Sequence, residues 1–298
     1  MATIRVLTLV AAVLLARAAA AQAGCSSEVL LAVESKGEKF LSSSVLEPVD
    51  FNVRVNGKPV SISGIQPEGD LATVVILMDV SGSMDQTFGT ELELARRIVA
   101  GLSPAQPTIL VAFAEHSEVV ASNRAEATAW LQTVTGLKKG QRRTALWDTI
   151  DNALSNISSP NPIFLLLSDG GDNISKVHAD PVLGKLQESA VRVIWVEPRS
   201  EFATPEERKG ADEMAWVAAA TGGFAIRSAL GFGTVRQVNL AVNVIGAYSR
   251  MRLDMPSGTP KSGKLKISVA SSNRPELKGA NLLYPERLRN CSSLTVSH

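Results

Sequence analysis

Thr73-Val74-Val75-Ile76-Leu77-Met78-Asp79-Val80-Ser81-Gly82-Ser83 decides the fold. Thr73 to Met78 shows no apolar-polar alternation, the pattern of a strand buried on both faces. It then ends in a carboxylate, two hydroxyls and a glycine. A strand covered on both sides needs helices above and below it, and the sequence downstream supplies them. Leu92, Ala95, Ile98, Val99 and Leu102 fall on one helical face. Thr108 to Ala114 (TILVAFA) is a second buried strand. Ala127, Trp130, Leu131 and Val134 mark a helix, and Leu146, Ile150, Ala153, Leu154 and Ile157 mark another. Ile163 to Leu167 (IFLLL) is a third buried strand.

The alternation continues. Val182 to Ala190 reads as a short helix and Val191 to Val196 as a strand. Thr204-Pro205-Glu206-Glu207 is a capping box with proline at the first helical position. Its helix carries Met214, Val217 and Ala218 and stops at Gly222-Gly223. Phe224 to Ile226 is a short strand, and Val235, Val238, Val242 and Ile245 give a final helix. This order predicts an α/β fold, a doubly wound, mostly parallel sheet over 71–247.

Both flanks read as β. In 24–70, Phe51, Val53 and Val55 alternate with polar residues, then Asn56-Gly57 signals a type I′ hairpin and Val60 and Ile62 resume the alternation. Pro59 predicts an edge position for that strand. In 248–298, Met251, Leu253 and Met255, then Leu265, Ile267 and Val269, alternate likewise, with a linker-like loop from Pro256 to Gly263. The two flanks are expected to pair into one small β module beside the α/β domain.

The first 23 residues read as an export signal. Arg5 precedes the apolar run Val6 to Ala16, too short to span a bilayer, and Ala21-Gln22-Ala23 offers a small-x-small cleavage pattern. The expectation is a secreted or periplasmic protein. The whole chain has 30 basic and 29 acidic residues. Removing Arg5 and Arg17 with the signal leaves 28 basic against 29 acidic, which excludes a general nucleic-acid binder. The two cysteines, Cys25 and Cys291, stand at opposite ends of the mature chain. A disulfide between them fits an exported protein. A lipid anchor at Cys25 is the other reading, because Ala23-Gly24-Cys25 matches the end of a lipobox, although Gln22 stands where a large aliphatic residue is usual.

In open α/β sheets, ligands bind at the carboxyl ends of the strands. Asp79, Ser81 and Ser83 follow the first buried strand, Asp169 follows IFLLL within Ser168-Asp169-Gly170-Gly171-Asp172, and Thr144 lies in the loop opening the helix at Ala145. Two carboxylates and three hydroxyls form an all-oxygen set. That suits Mg²⁺ or Mn²⁺ rather than Zn²⁺. Asp172 reads as a turn or cap residue and Asp148 as a loop-orienting one. His116 and His178 are isolated and read as surface residues.

These residues resemble the metal-ion-dependent adhesion site of von Willebrand factor type A (VWA) domains, a D-x-S-x-S motif followed by a distant threonine and a distant aspartate. The likeness spans about 170 residues. With its signal and flanking β segments the chain is similar to the acidobacterial VWA-related secreted proteins. The resemblance implies that Ser81, Ser83 and Thr144 bind metal directly or through water and that Asp169 does so through water. Arg143 departs from the family, which usually has glycine before the threonine. It closes the basic run Lys138-Lys139-Gly140-Gln141-Arg142-Arg143, read either as a solvated loop or as a lure for an acidic partner.

The function expected is an exported protein-binding or adhesion module, not an enzyme. Its divalent cation would engage a carboxylate on a partner protein or surface polymer. The alternatives are a metal-dependent hydrolase and a structural protein whose cation only orders the loops. Against hydrolysis, position 81 is serine where a phosphotransferase of the Asp-x-Asp type needs a second carboxylate. The sequence also carries no glycine-rich phosphate loop and no G-x-S-x-G elbow.

Overall fold

The computed structural model describes residues 25–136, 143–159, 162–198, 205–227, 233–255, 263–270, 274–288 and 292–293. The expected signal segment, Lys138 to Arg142, Thr204, most of the 256–263 loop and Cys291 lie outside them.

The first segment forms β1 (Cys25–Ser35), β2 (Lys39–Phe40), β3 (Phe51–Val55) and β4 (Lys58–Pro67). The α/β unit follows as β5 (Val74–Asp79), α1 (Phe88–Gly101), β6 (Thr108–Phe113), β7 (Ser117–Ala121), α2 (Arg124–Thr133), α3 (Leu146–Asn156) and β8 (Ile163–Leu167). It continues with α4 (Ala179–Glu188), β9 (Arg192–Val196), α5 (Pro205–Ala220), β10 (Phe224–Ile226) and α6 (Thr234–Ala247). The chain closes with β11 (Ser249–Met255), β12 (Gly263–Val269), β13 (Asn281–Leu283), β14 (Arg287–Leu288) and β15 (Ser292–Ser293).

The α/β sheet runs β10-β9-β8-β5-β6-β7, so β5 lies inside it between β8 and β6. Its neighbours pair parallel, except that β7 runs antiparallel to β6. The unbroken apolar run of β5 now has its reason. Val74, Ile76 and Met78 enter one core with α1, α2 and α6. Val75 and Leu77 enter the opposite core with α3, α4 and α5. The sheet is covered on both faces, as doubly wound topology requires.

The flanking strands form a second, antiparallel sheet in the order β13-β1-β11-β4-β3-β12-β14. The expected partnership of the two flanks is seen directly, since β1 pairs with β11, β11 with β4, and β12 with β3. Asn56 and Gly57 both take positive φ, +48° and +79°, as a type I′ hairpin requires. Alternation along β1 joins the two halves. Val29, Leu31 and Val33 pack into the core of this sheet, while Leu30 and Ala32 pack into the core that holds α6. An ion pair of Arg236 on α6 with Glu38 and a bond from Tyr248 Oη to the Gly222 carbonyl (2.9 Å) add polar ties.

Two expectations change. Pro59 does not mark an edge strand, because β4 lies between β11 and β3. It pairs with Arg54 on the hairpin side, and the β11 register begins only at Ser61, so the missing N–H sits where no second ladder needs it. The antiparallel edge strand β7 was not expected. Ser117-Glu118-Val119-Val120-Ala121 is short and half exposed, as an edge strand tends to be, and so carries little apolar signal.

Candidate metal centre

Asp79 is the last residue of β5 and is fully buried. The chain leaves the sheet at once. Val80 N–H donates to the Phe113 carbonyl (2.7 Å). The Ser81 amide donates back to Asp79 Oδ1 (3.0 Å), closing an Asx turn. A single 3₁₀ turn, Gly82–Met84, leads into α1, and the Met84 side chain is fully buried. Within this turn Ser81 Oγ and Ser83 Oγ stand 3.1 Å apart.

The neighbouring strand β8 supplies the second element. Ser168 Oγ donates to Asp79 Oδ2 (2.7 Å) and accepts from the Gly170 amide (3.0 Å). Trp195 Nε1 on β9 donates to the Ser168 carbonyl (2.9 Å). Asp169 is 1% exposed, and its Oδ1 accepts from the Gly171 amide (2.9 Å). Gly170 holds φ +82°, a conformation that side chains resist.

Thr144, 1% exposed, is fastened to the segment that follows Asp169. Its amide donates to Asn173 Oδ1 (2.9 Å), and its carbonyl accepts from the Asn173 amide (3.0 Å). Leu146 N–H donates to Asp172 Oδ1 (2.8 Å), which also accepts from Ser175 Oγ (2.5 Å). Asp148 Oδ1 accepts from the amides of Lys176 and Val177 at 2.9 and 3.0 Å. Ala145 N–H donates to the Ala114 carbonyl at the end of β6 (2.8 Å). Asp172 therefore caps α3 and Asp148 orients the facing loop, as read from sequence. His116 and His178 are exposed. Arg143 pairs with Glu115 (3.3 Å) on an exposed surface, which offsets its charge beside the Thr144 loop.

Asp79 and the serines thus share one turn, Asp169 neighbours it through Ser168, and Thr144 is stitched to the Asp169 loop. The electrostatics match. Burial, then the negative charge of Asp169, pushes the Asp79 carboxyl from 3.8 up to about 7, against the pull of hydrogen bonds from Ser81 and Ser168. Burial likewise raises Asp172, opposed by bonds from Ser175, Leu146 and Trp147. Two buried carboxylates that repel one another are relieved by a divalent cation. Among the described residues no three His, Cys, Asp or Glu side chains form a metal-binding group. A cation here would therefore draw on hydroxyls and water as well as carboxylates, and the oxygen donors present fit a hard ion.

Sequence reasoning did not single out Ser168, Asn173 or Glu91. Ser168 was adjacent to a candidate and carried a signal, a hydroxyl at a strand end. Asn173 was hidden in a polar loop. Glu91, fully buried on α1, looked like one more polar residue of an amphipathic helix.

An aerotolerance-related membrane protein from Bacteroides fragilis is similar in structure at 16% identity and a TM-score of 0.47, over 58% of this chain and 98% of that one. Proximal thread matrix protein 1 from the mussel byssus is similar at 15% identity and a TM-score of 0.48, over 63% of this chain and 49% of that one, so this chain spans about half of the mussel protein. One form of that mussel protein has a zinc-occupied adhesion-site motif. A von Willebrand factor type A protein from Catenulispora acidiphila matches at 14% identity and a TM-score of 0.47, over 89% of this chain and 74% of that one. No curated protein matches the sequence. The family model for the VWA domain containing CoxE-like protein matches residues 49–227, more than half of the chain, and the chain belongs to that family.

Proposed function

We propose that this VWA protein is a metal-ion-dependent binding module, with Asp79, Ser81, Ser83, Thr144 and Asp169 gathered around one Mg²⁺ or Mn²⁺. The observation that carries the reading is the Asp79 carboxylate, held between Ser81 and Ser168 and pushed up to about 7 by burial and by Asp169. The chain's own residues hold the oxygen donors in place and exclude bulk water. The bound ion would offer a position to a carboxylate of a partner protein or surface polymer, and binding rather than turnover is the output.

The companion proposals concern export and organisation. Residues 1–23 act as a signal, 71–247 form the VWA domain, and 24–70 with 248–298 form the β module. A Cys25–Cys291 bridge closes that module. Supporting it, no described cysteine is free, and Ser293 and Ser292 pair with Cys25 and Ser26. Intact mass of the exported protein separates a bridge from a lipid on Cys25. Among the described residues no helix is long and apolar enough to cross a membrane.

The functional test is calorimetric titration of the chelator-stripped chain with Mg²⁺, Mn²⁺ and Zn²⁺, followed by pull-down from the native exported fraction. Mg²⁺ or Mn²⁺ binding that is lost in Asp79→Ala, with partner capture lost in chelator, supports the reading. Capture that survives chelator unchanged overturns it. A large thermal stabilisation by the ion, with no ion-dependent partner, would instead favour a structural cation.

A further inference from the structure

The two ends of the antiparallel sheet differ in character. At one end Pro67 pairs with Ser249, where β4 leads on to β5 and β11 begins just after α6. At the opposite end β1 begins at Cys25, beside Met255, the last residue of β11, and beside Ser293. The Asn56-Gly57 hairpin and the Gly263–Leu288 pair of β12 and β14 lie at this same end, because β3, β4 and β12 are held in one register. It is therefore the end opposite both links to the α/β unit.

This end is basic. Lys266 stands directly opposite Arg54, and Lys264 directly opposite Arg287. Alternation along β12 puts Lys264 and Lys266 on one face, with Leu265 and Ile267 turned into the core. Lys58 follows the hairpin. All five cations are exposed, and none of them makes an ion pair among the described residues. Arg250 and Arg252 on β11, by contrast, are paired with Glu28. Among the described residues the acids of this end are Asp254, which accepts from Ser63 Oγ (2.9 Å), and Glu286. The sequence carries the same bias, since 248–298 hold nine basic and three acidic residues whereas 71–247 hold 15 and 19. Like charges directly opposite one another on paired strands destabilise a sheet. Two such pairs side by side are a standing cost that an external anion would relieve.

The five cations are spread over three strands and a hairpin, which suits an extended anionic surface better than one small anion. The exposed residues between them, Asn52, Asn56, Gly57, Pro59 and Ser268, include no aromatic platform on which nucleic-acid bases could stack. Residues 1–23, read as an export signal, join the mature chain at this end, beside Cys25. We propose that the basic end of the β module, through Arg54, Lys58, Lys264, Lys266 and Arg287, docks the protein on an anionic phospholipid surface. The attachment is electrostatic and reversible, because the patch offers cations and no large apolar side chain to insert. Each lysine or arginine held near an anionic bilayer strengthens binding about fivefold. The choice of a bilayer rests on the export reading proposed above and is independent of the metal.

The test is co-sedimentation of the full mature chain with vesicles of phosphatidylcholine alone and of phosphatidylcholine mixed with phosphatidylglycerol, all in chelator so that no divalent ion bridges protein and lipid. The wild type should bind the mixed vesicles and not the neutral ones. Binding should vanish as salt rises from about 0.1 M to about 1 M, where the screening length shrinks from about 10 Å to about 3 Å. Lys264→Gln combined with Lys266→Gln should weaken binding by about tenfold or more, with melting unchanged or slightly raised by relief of the cross-strand repulsion. Arg97→Gln combined with Lys185→Gln removes the same charge from exposed positions of the α/β unit and should leave binding unchanged. Equal loss in both double variants, or equal binding to neutral and mixed vesicles, overturns the proposal. So does capture by soluble polyglutamate with no binding to mixed vesicles, which would assign the patch to an acidic polymer. Intact mass of the exported protein tests the export reading separately.

Discussion

Ser168 Oγ donates to Asp79 Oδ2 across 2.7 Å and so ties the end of β8 to the end of β5. Both residues are completely buried, and the Ser168 hydroxyl also accepts from Gly170. One hydroxyl therefore orients a carboxylate of the candidate centre and fixes the turn after Asp169. Ser168→Ala should cost the metal-free protein about 1–3 kcal/mol at a pH where Asp79 is ionised, the range for a hydrogen bond to a charged group and an orphaned amide. Urea unfolding in chelator measures it. A loss of only a few tenths would mean that the bond contributes nothing.

The Asp79 carboxyl predicts a pH dependence with a definite sign. Its folded value of about 7 lies above the 3.8 of an exposed group. Between those values the folded chain binds more protons than the unfolded chain, so stability falls as pH rises. The contribution is fully present below about pH 4 and is lost as pH passes through about 7. The gap corresponds to roughly 4 kcal/mol. Unfolding in chelator across this window should show the fall, and Asp79→Asn should make it shallower, leaving the part due to other buried carboxyls such as Glu91. An unchanged slope in Asp79→Asn would assign the pH dependence to other groups.

Thr144 is held from outside its own loop. Its amide has Asn173 Oδ1 as acceptor, and α3 begins on Asp172 Oδ1. Asn173→Ala should destabilise by about 1–2 kcal/mol, because a largely buried N–H loses its acceptor. It should also weaken Mg²⁺ binding, although Asn173 is not in the proposed ligand set. Calorimetry on this variant checks both effects, and unaltered Mg²⁺ affinity would show that the Thr144 loop keeps its place without the clamp.

Arg143 gives a contrasting expectation. Its ion pair with Glu115 is exposed, with side chains 61% and 27% accessible. Arg143→Ala should change stability by no more than about 0.5 kcal/mol, the scale of an exposed pair. A larger loss in thermal melts would show that the arginine shapes the Thr144 loop where the family usually has glycine.

The fold was legible because its signal is local. Val74 to Met78 read as buried on both faces, and the two cores do share those residues in alternation. Asn56-Gly57 named its own turn. β7 was not legible, since an edge strand satisfies only half a ladder and needs few apolar residues. For the site, the residue types and strand ends were readable. What fastens them was not, because the Ser168–Asp79 and Asn173–Thr144 bonds join positions 89 and 29 residues apart. Glu91 was invisible for the opposite reason. Its polarity is ordinary in sequence and becomes informative only once its burial is known.

Two helical glycines should respond to the same substitution with opposite signs. On α5, a Cβ at Gly210 would stand 2.4 Å from the Gly170 carbonyl oxygen and 3.0 Å from its carbon. Gly170 cannot easily give way, since it holds φ +82° and its amide is bonded to Ser168. On α4, a Cβ at Gly184 meets nothing within 4 Å. Gly184→Ala should stabilise by about 0.5–1 kcal/mol, the helix preference for alanine over glycine. Gly210→Ala gains the same preference but must push α5 and the Asp169 turn apart, a net loss of about 1–3 kcal/mol. Because the displaced turn carries Asp169, this variant should also weaken Mg²⁺ binding, whereas Gly184→Ala should leave it unchanged. Paired melts and titrations decide the matter. Equal stabilisation by both substitutions would mean that α5 does not constrain the turn.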